Sequence, residues 1–243
     1  MSKKIKKKER TADTKIYLKN NNKLSPKEVF KFIEKLSFKN NNKKFLCLDV
    51  GCAAGNFIYF LKKKNPQCEF HGMDSVLKLV NKAKKNVPNC KFYKKSVLNP
   101  KAWPINTYEK IFMVGVHPIF DDFTIFLKNI LNWTKSKGEI YICDMFNPYP
   151  VDVFIYYRMS NDIKKNKLER GWNNLSISSF SRFLKNHKKV KSFSFTKFNM
   201  PFDLKRQKNP ARSWTIKDEN KNRFIINGLG IIQNQYLLKI IVH

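Results

Sequence analysis

Residues 47–57, CLDVGCAAGNF, hold the first candidates for chemistry. Asp49 closes an apolar run, Gly51 and Gly55 follow, and apolar residues then recur at helical spacing. Glycine is scarce, 8 in 243 residues, so two of them on one short turn need a reason. A glycine turn accepts positive φ and lets a ligand lie against bare backbone. The N-terminus of the following helix adds unpaired N–H groups. A second acid, Asp74, ends the next apolar run, near the spacing at which an acid meets a ribose hydroxyl. Together these residues predict a nucleoside site. Elsewhere the pattern is negative: the five cysteines form no C-x-x-C pair and the four histidines no metal-ligand spacing.

The elements around the turn alternate. LSPKEVFKFIEKL opens a helix, with Ser25 as cap, Pro26 in the first helical position and Glu28 completing a capping box. Val29, Phe30, Ile33 and Leu36 then share its face. KFLCLDV reads as a strand covered on both faces. GNFIYFLKKKN is a helix burying Phe57, Ile58, Phe60 and Leu61, and CEFHGMD is a strand. SVLKLVNKAKKNV is a helix with Val76, Leu77, Leu79, Val80, Ala83 and Val87 inward. CKFYKKSV and EKIFMVGV are strands, DDFTIFLKNILNWTK is a helix begun by Asp121 or Asp122, and GEIYICDMF is a fifth strand. Strands alternating with helices specify an α/β fold, a doubly wound and mostly parallel sheet. In such sheets ligands bind at the carboxyl edge, where the glycine turn lies.

Composition bounds the rest. No run approaches the roughly 18 apolar residues of a membrane helix. The basic start MSKKIKKKER has no apolar segment behind it, so it does not read as a secretory signal. The odd cysteine count in buried-looking contexts suggests reduced thiols and a cytoplasmic protein. The net charge is +31, the signature of a polyanion partner or of codon bias. Only 7 of the 49 basic residues are Arg, and the lysines are spread along the chain, which favours bias with non-specific polyanion attraction.

LDVGCAAGNF, with Asp74 and the strand order, resembles the class I S-adenosylmethionine-dependent methyltransferases over about residues 25–146. Segments FNPYPVDVFIYYR, GWNNLS and NPARSWT…FIINGL resemble a bacterial subgroup of them with unassigned acceptors. The resemblance implies a Rossmann-like fold of seven strands, SISSFSRFLKNH as a fifth helix capped by Ser176, and VKSFSFTKF and QYLLKIIV as a final hairpin. Residues 1–24 are then a basic mobile tail, and 25–243 a single domain with an insertion at about 201–228 acting as lid. It implies S-adenosyl-L-methionine as cofactor. Its expected contacts are Asp49, Gly51, Cys52, Ala53, Gly55, Asn56, Phe57, Asp74, Ser75, Ser96, Val97, Val114, Gly115 and His117. Ser96 stands where the family often has Asp.

The sulfonium makes its own methyl electrophilic, so the protein must align the acceptor and exclude water. His117, ending the fourth strand, is the candidate base; Asp121 and Asp122 are alternatives, and Asp144 and Asn147 read as shaping their turn. Acceptor-binding candidates are Asp121, Asn147, Tyr149, Tyr157, Arg158, Arg212 and Trp214. Three functions remain open: a small-molecule methyltransferase acting on O or N, a nucleic-acid methyltransferase, and a non-catalytic nucleoside-binding relative. No metal and no membrane span are expected. NPYP is superficially similar to a base-methylating signature but follows the fifth strand, not the fourth.

Overall fold

The computed structural model describes residues 14–19, 27–38, 43–160 and 168–243. The elements in chain order are α1 (Thr14–Lys19), α2 (Glu28–Ser37), β1 (Leu46–Val50), α3 (Asn56–Lys64), β2 (Glu69–Asp74), α4 (Leu77–Asn86) and β3 (Lys91–Lys94). Then come β4 (Tyr108–Val114), α5 (Phe123–Trp133), β5 (Thr134–Met145), β6 (Tyr156–Tyr157), β7 (Glu169–Arg170) and α6 (Ile177–Lys185). The chain closes with β8 (Val190–Lys197), β9 (Trp214–Lys217), β10 (Arg223–Ile226) and β11 (Gln235–Val242).

Seven strands form one sheet in the order β3-β2-β1-β4-β5-β11-β8. All neighbours are parallel except β11, which runs antiparallel to both β5 and β8. The chain thus builds outward from β1 in one direction, then crosses to β4 and builds in the other. That reversal opens a crevice at the carboxyl ends of β1 and β4. The seven predicted strands are these seven, and the expected final hairpin is β8 with β11.

Helices cover both faces because the strands are apolar on both. Leu48, Val50, Ile111, Met113, Ile140 and Ile142 pack toward α5 and α6, with Trp133 and Phe180 fully buried there. Cys47, Phe70, Phe112, Tyr141 and Cys143 pack on the other side toward α2, α3 and α4. Each such buried apolar side chain contributes roughly 1.5–3 kcal/mol. Asp122 caps α5 by accepting from the Thr124 N–H at 2.9 Å, and Ser176 caps α6 by accepting from the Ser179 N–H at 3.0 Å.

Some expectations need adjustment. Lys27 is the residue preceding α2, and Ser25 and Pro26 lie outside the described residues. Leu77 is 51% exposed, because α4 starts there and Leu79 already points inward from the opposite side of the helix. Phe60 is half-buried. Residues Thr14–Lys19, inside the expected tail, form α1, and Lys82 of α4 donates to the carbonyls of Tyr17 and Leu18. The chain between β8 and β11 includes the antiparallel pair β9–β10. All five cysteines are free. Among the described residues no helix is long and apolar enough to cross a membrane.

Candidate active site

The turn after β1 is built from left-handed backbone: Gly51, Ala53 and Gly55 have φ of 73°, 47° and 82°. Its first two N–H groups donate to the Met73 carbonyl, Gly51 at 2.8 Å and Cys52 at 3.0 Å, which ties the turn to the end of β2. Asp74 finishes the tie, accepting from the Ala53 N–H at 3.0 Å and the Val76 N–H at 2.9 Å. A β-carbon on Gly51 would stand 2.5 Å from Val116 Cγ2. One on Gly55 would stand 3.2 Å from Ala83 Cβ and 3.3 Å from Phe92 Cζ. Gly55 therefore faces α4 and the core, and does not face a ligand as the sequence suggested.

A third glycine is the exposed one. Gly115, with φ 74°, follows β4, and a β-carbon there would meet only Asp144 Oδ2, at 4.0 Å.

Two lobes meet at these turns. The first is lined by Gly51, Ala53, Asp74, Ser75, Ser96, Val97, Val114 and Gly115, all expected positions, together with Tyr17, Met73, Lys95, Ile119 and Trp172. The second, about 290 Å³, is lined by Asp49, Gly51, Cys52, Ala53, Asn56, Phe57, Val114 and Gly115 from the expected set. Its far wall is Phe30 and Val29 of α2, Phe198, Met200, Leu204, Ser213 and Ile225, with Gln233, Gln235, Lys27, Asp144 and Tyr17. Gly51, Ala53, Val114, Gly115 and Tyr17 belong to both lobes, so they form one trough along the carboxyl edge.

The acids of the trough are strained electrostatically. Asp49 is 4% exposed; burial holds its carboxyl well above the usual carboxylate range, and Asp74 raises it further. Asp144, near the end of β5, is pushed up to about 7 by burial, against the lowering effects of its hydrogen bond from the Met145 N–H and of Lys27. Cys52 is raised by burial, then by Asp49 and Asp74.

Other expected residues lie elsewhere. His117 is fully buried beneath the trough, its ring stacked on Phe146 at 4.4 Å and edge-on to Phe180. Burial pushes its imidazole down to about 3, only partly offset by the Met145 backbone. Among the described residues neither ring nitrogen makes a well-formed hydrogen bond, the Met145 backbone included. It lines neither lobe and is unsuited to act as a base, because the short 3₁₀ turn His117–Ile119 points it into the core. Asp121 pairs with Arg170 and accepts from Asn173 Nδ2 at 3.0 Å, so it braces β7 and lines neither lobe.

Asn147 bonds within its own turn, to Val151 O at 2.8 Å and from Tyr149 N at 3.2 Å. Tyr149 is 71% exposed, Arg158 is exposed, and Tyr157 donates to Glu169 across the β6–β7 pair. Asp152 accepts from Ser176 N and Ser179 Oγ, supporting the cap of α6. Arg212 lies over the Trp172 ring at 5.4 Å, and Arg206 over the Trp214 ring at 4.9 Å. Neither Arg212 nor Trp214 lines a lobe, but their neighbour Ser213 lines the second, donating to Gln233 Oε1 at 2.6 Å.

The sequence reading passed over Tyr17, Trp172, Lys27, Phe198, Met200, Leu204, Gln233 and Gln235, and treated Asp144 as a turn residue. Trp172 was signalled by the GWNNLS segment and Asp144 by its place at a strand end. Nothing in the polar stretch around Tyr17 marked it.

A family model described as "methyltransferase domain" matches residues 41–201. Among solved structures, the chain is similar to YcgJ from Bacillus subtilis, with 14% identity over 87% of this chain and 98% of that one and a TM-score of 0.58. It is similar to the N-methyltransferase NodS from Bradyrhizobium japonicum in complex with S-adenosyl-L-homocysteine, at 12% identity, 95% and 96% coverage and TM-score 0.57. It is also similar to magnesium protoporphyrin IX methyltransferase ChlM from Synechocystis with bound SAM, at 10% identity, 88% and 78% coverage and TM-score 0.53. No curated protein matches the chain.

Proposed function

Because the chain belongs to the methyltransferase domain family, we propose that it moves the methyl group of S-adenosyl-L-methionine to an O or N atom of a small molecule held in the second lobe. The observation that carries this reading is the shared floor of the two lobes. Gly51, Ala53, Val114 and Gly115 open on both, so a ligand in one can meet a ligand in the other there.

The residues present fit the cofactor. Gly115 leaves backbone bare at the junction, where a β-carbon would intrude with nothing to pack on. Asp49 is buried and Asp144 half-buried, and a cationic ligand would compensate both carboxyls. When bound, the cofactor supplies an electrophilic methyl group on a positively charged sulfur. Asp74 is placed to accept from ribose hydroxyls while it holds the Ala53 N–H, and Ser96 and Val97 line the lobe suited to the base. Phe30, Phe57, Phe198, Met200 and Leu204 give the second lobe apolar walls that exclude water. A volume of about 290 Å³ sits at the lower end of small-molecule pockets.

The insertion supplies Leu204, Ser213 and Ile225 to that lobe and serves as its lid. The test is transfer of labelled methyl from S-adenosylmethionine into fractionated metabolite and RNA pools. Label entering the small-molecule fraction supports the reading, and label entering only RNA overturns the choice of acceptor.

A further inference from the structure

Among the ionisable groups of the second lobe, Asp144 lies nearest the junction glycine. Asp144 is the last residue but one of β5 and lies beside Gly115, the junction glycine. Its Oδ1 accepts from the Met145 N–H at 2.7 Å, which fixes the carboxyl's rotation. Its Oδ2 has no hydrogen-bond partner among the described residues, and lies 4.0 Å from where a Gly115 β-carbon would stand. Apolar walls from Val29, Phe30, Phe198 and Met200 share the lobe with Lys27, Gln233 and Gln235. A fixed, half-buried carboxyl with one open oxygen at a lobe junction is the geometry of a proton acceptor.

We propose that Asp144 takes the proton of the acceptor, which presents an N–H or O–H to Oδ2. This rests on the methyl-transfer reading above and narrows it: the acceptor is an amine or a hydroxyl compound, not a carboxylate. Methyl transfer forms one bond from the acceptor's N or O to carbon and breaks the sulfur–carbon bond, whose electron pair stays on sulfur. The acceptor's proton passes to Asp144 Oδ2, so charge and atoms balance. Burial sets the carboxyl near neutrality, where it changes protonation easily. The titratable and charged groups around it are Lys27 before α2, Asp49 and Cys52 at the β1 turn, Cys143 on β5, Tyr236 paired opposite on β11, and Tyr17 of α1. Lys27 favours the ionised form.

The position of Asp144 can be tested without knowing the acceptor. Sinefungin carries an amine where S-adenosylmethionine carries its methyl, and S-adenosylhomocysteine carries nothing there. Calorimetry on the full chain should show sinefungin binding at least tenfold tighter than S-adenosylhomocysteine at pH 8. That preference should shrink toward pH 6 as Asp144 becomes protonated. Asp144→Asn should abolish the preference while leaving S-adenosylhomocysteine affinity within about twofold. The wild-type pH trend gives a readout that does not depend on the variant folding. Equal affinity for both compounds in the wild type, or an undiminished preference in Asp144→Asn, would overturn the proposal. Failure of the wild type to bind either compound would overturn the cofactor assignment itself, and this proposal with it.

Discussion

Two alanine substitutions separate what the glycines do for the fold from what they do for the site. Gly51 and Gly115 have nearly the same backbone, φ 73° and 74°, so either substitution costs about 1–2 kcal/mol for forcing an L-residue into the left-handed region. They differ in what the new β-carbon meets. At Gly51 it would stand 2.5 Å from Val116 Cγ2 and 3.1 Å from Cγ1. Valine is stiff about χ1 and cannot swing away, which adds about 1–3 kcal/mol of overpacking. At Gly115 it would meet nothing closer than Asp144 Oδ2 at 4.0 Å, so no packing cost is added. For a chain of this length each kcal/mol lowers Tm by roughly 2–4 °C. Gly115→Ala should therefore lose about 2–8 °C, and Gly51→Ala roughly twice as much. Yet Gly115→Ala should weaken S-adenosylhomocysteine binding tenfold or more, about 1.4 kcal/mol, because its methyl fills the junction of the lobes. Thermal scans and calorimetry on the same samples give both numbers. Equal Tm losses, or an unchanged affinity in Gly115→Ala, would refute the reasoning.

Asp74→Ala removes two backbone hydrogen bonds to a charged group, at about 1.5–3 kcal/mol each, and should lower both Tm and S-adenosylhomocysteine affinity. Asp121→Ala strips Arg170 and Asn173 of a partly buried partner; it should cost about 1–3 kcal/mol of stability by denaturant titration and leave that affinity unchanged. His117→Leu should be neutral or stabilising at pH 7, since both ring nitrogens are unpartnered. The folded imidazole binds a proton only near pH 3, whereas the unfolded one does so near 6.5. The wild type therefore loses stability as pH falls below 6.5, by about 2 kcal/mol at pH 5, and the variant should escape that loss in urea melts. Binding of S-adenosylhomocysteine should hardly change between 50 and 300 mM salt, while RNA retention should fall steeply, and the opposite pattern would make nucleic acid the better partner.

The sheet was legible because its strands are apolar on both faces and separated by helices with a 3.6-residue period. Those patterns depend only on local sequence, and so does the glycine turn, whose Asp74 brace lies on the next strand. The second lobe was not legible in the same way. Its walls come from α1, the approach to α2, and the chain between β8 and β11, brought together only by tertiary packing. Asp121 and His117 misled for a related reason. Polar residues at strand ends look alike in sequence whether they face a cavity, as Asp144 does, or turn into the core, as His117 does. One reversal in a 3₁₀ turn decides between the two, and no residue type announces it. Arg212 and Trp214 drew notice through rarity, but their neighbour Ser213 is the residue that reaches the lobe.

The distribution of acids bears on the choice between small and polyanionic ligands. The chain has 18 acidic residues against 49 basic ones, yet three acids, Asp49, Asp74 and Asp144, line this single trough beside two lysines, Lys27 and Lys95. Burial raises Asp49 and Asp144, and Asp74 raises Asp49 further, so ionised carboxylates in the trough come at a cost. A cation entering between them removes part of that cost, and a polyanion entering there adds to it. The lysines spread along the chain give the protein as a whole the opposite sign. A basic exterior and an acidic crevice are therefore compatible with one function. S-adenosyl-L-methionine, positively charged at sulfur, suits carboxyls held in such a crevice.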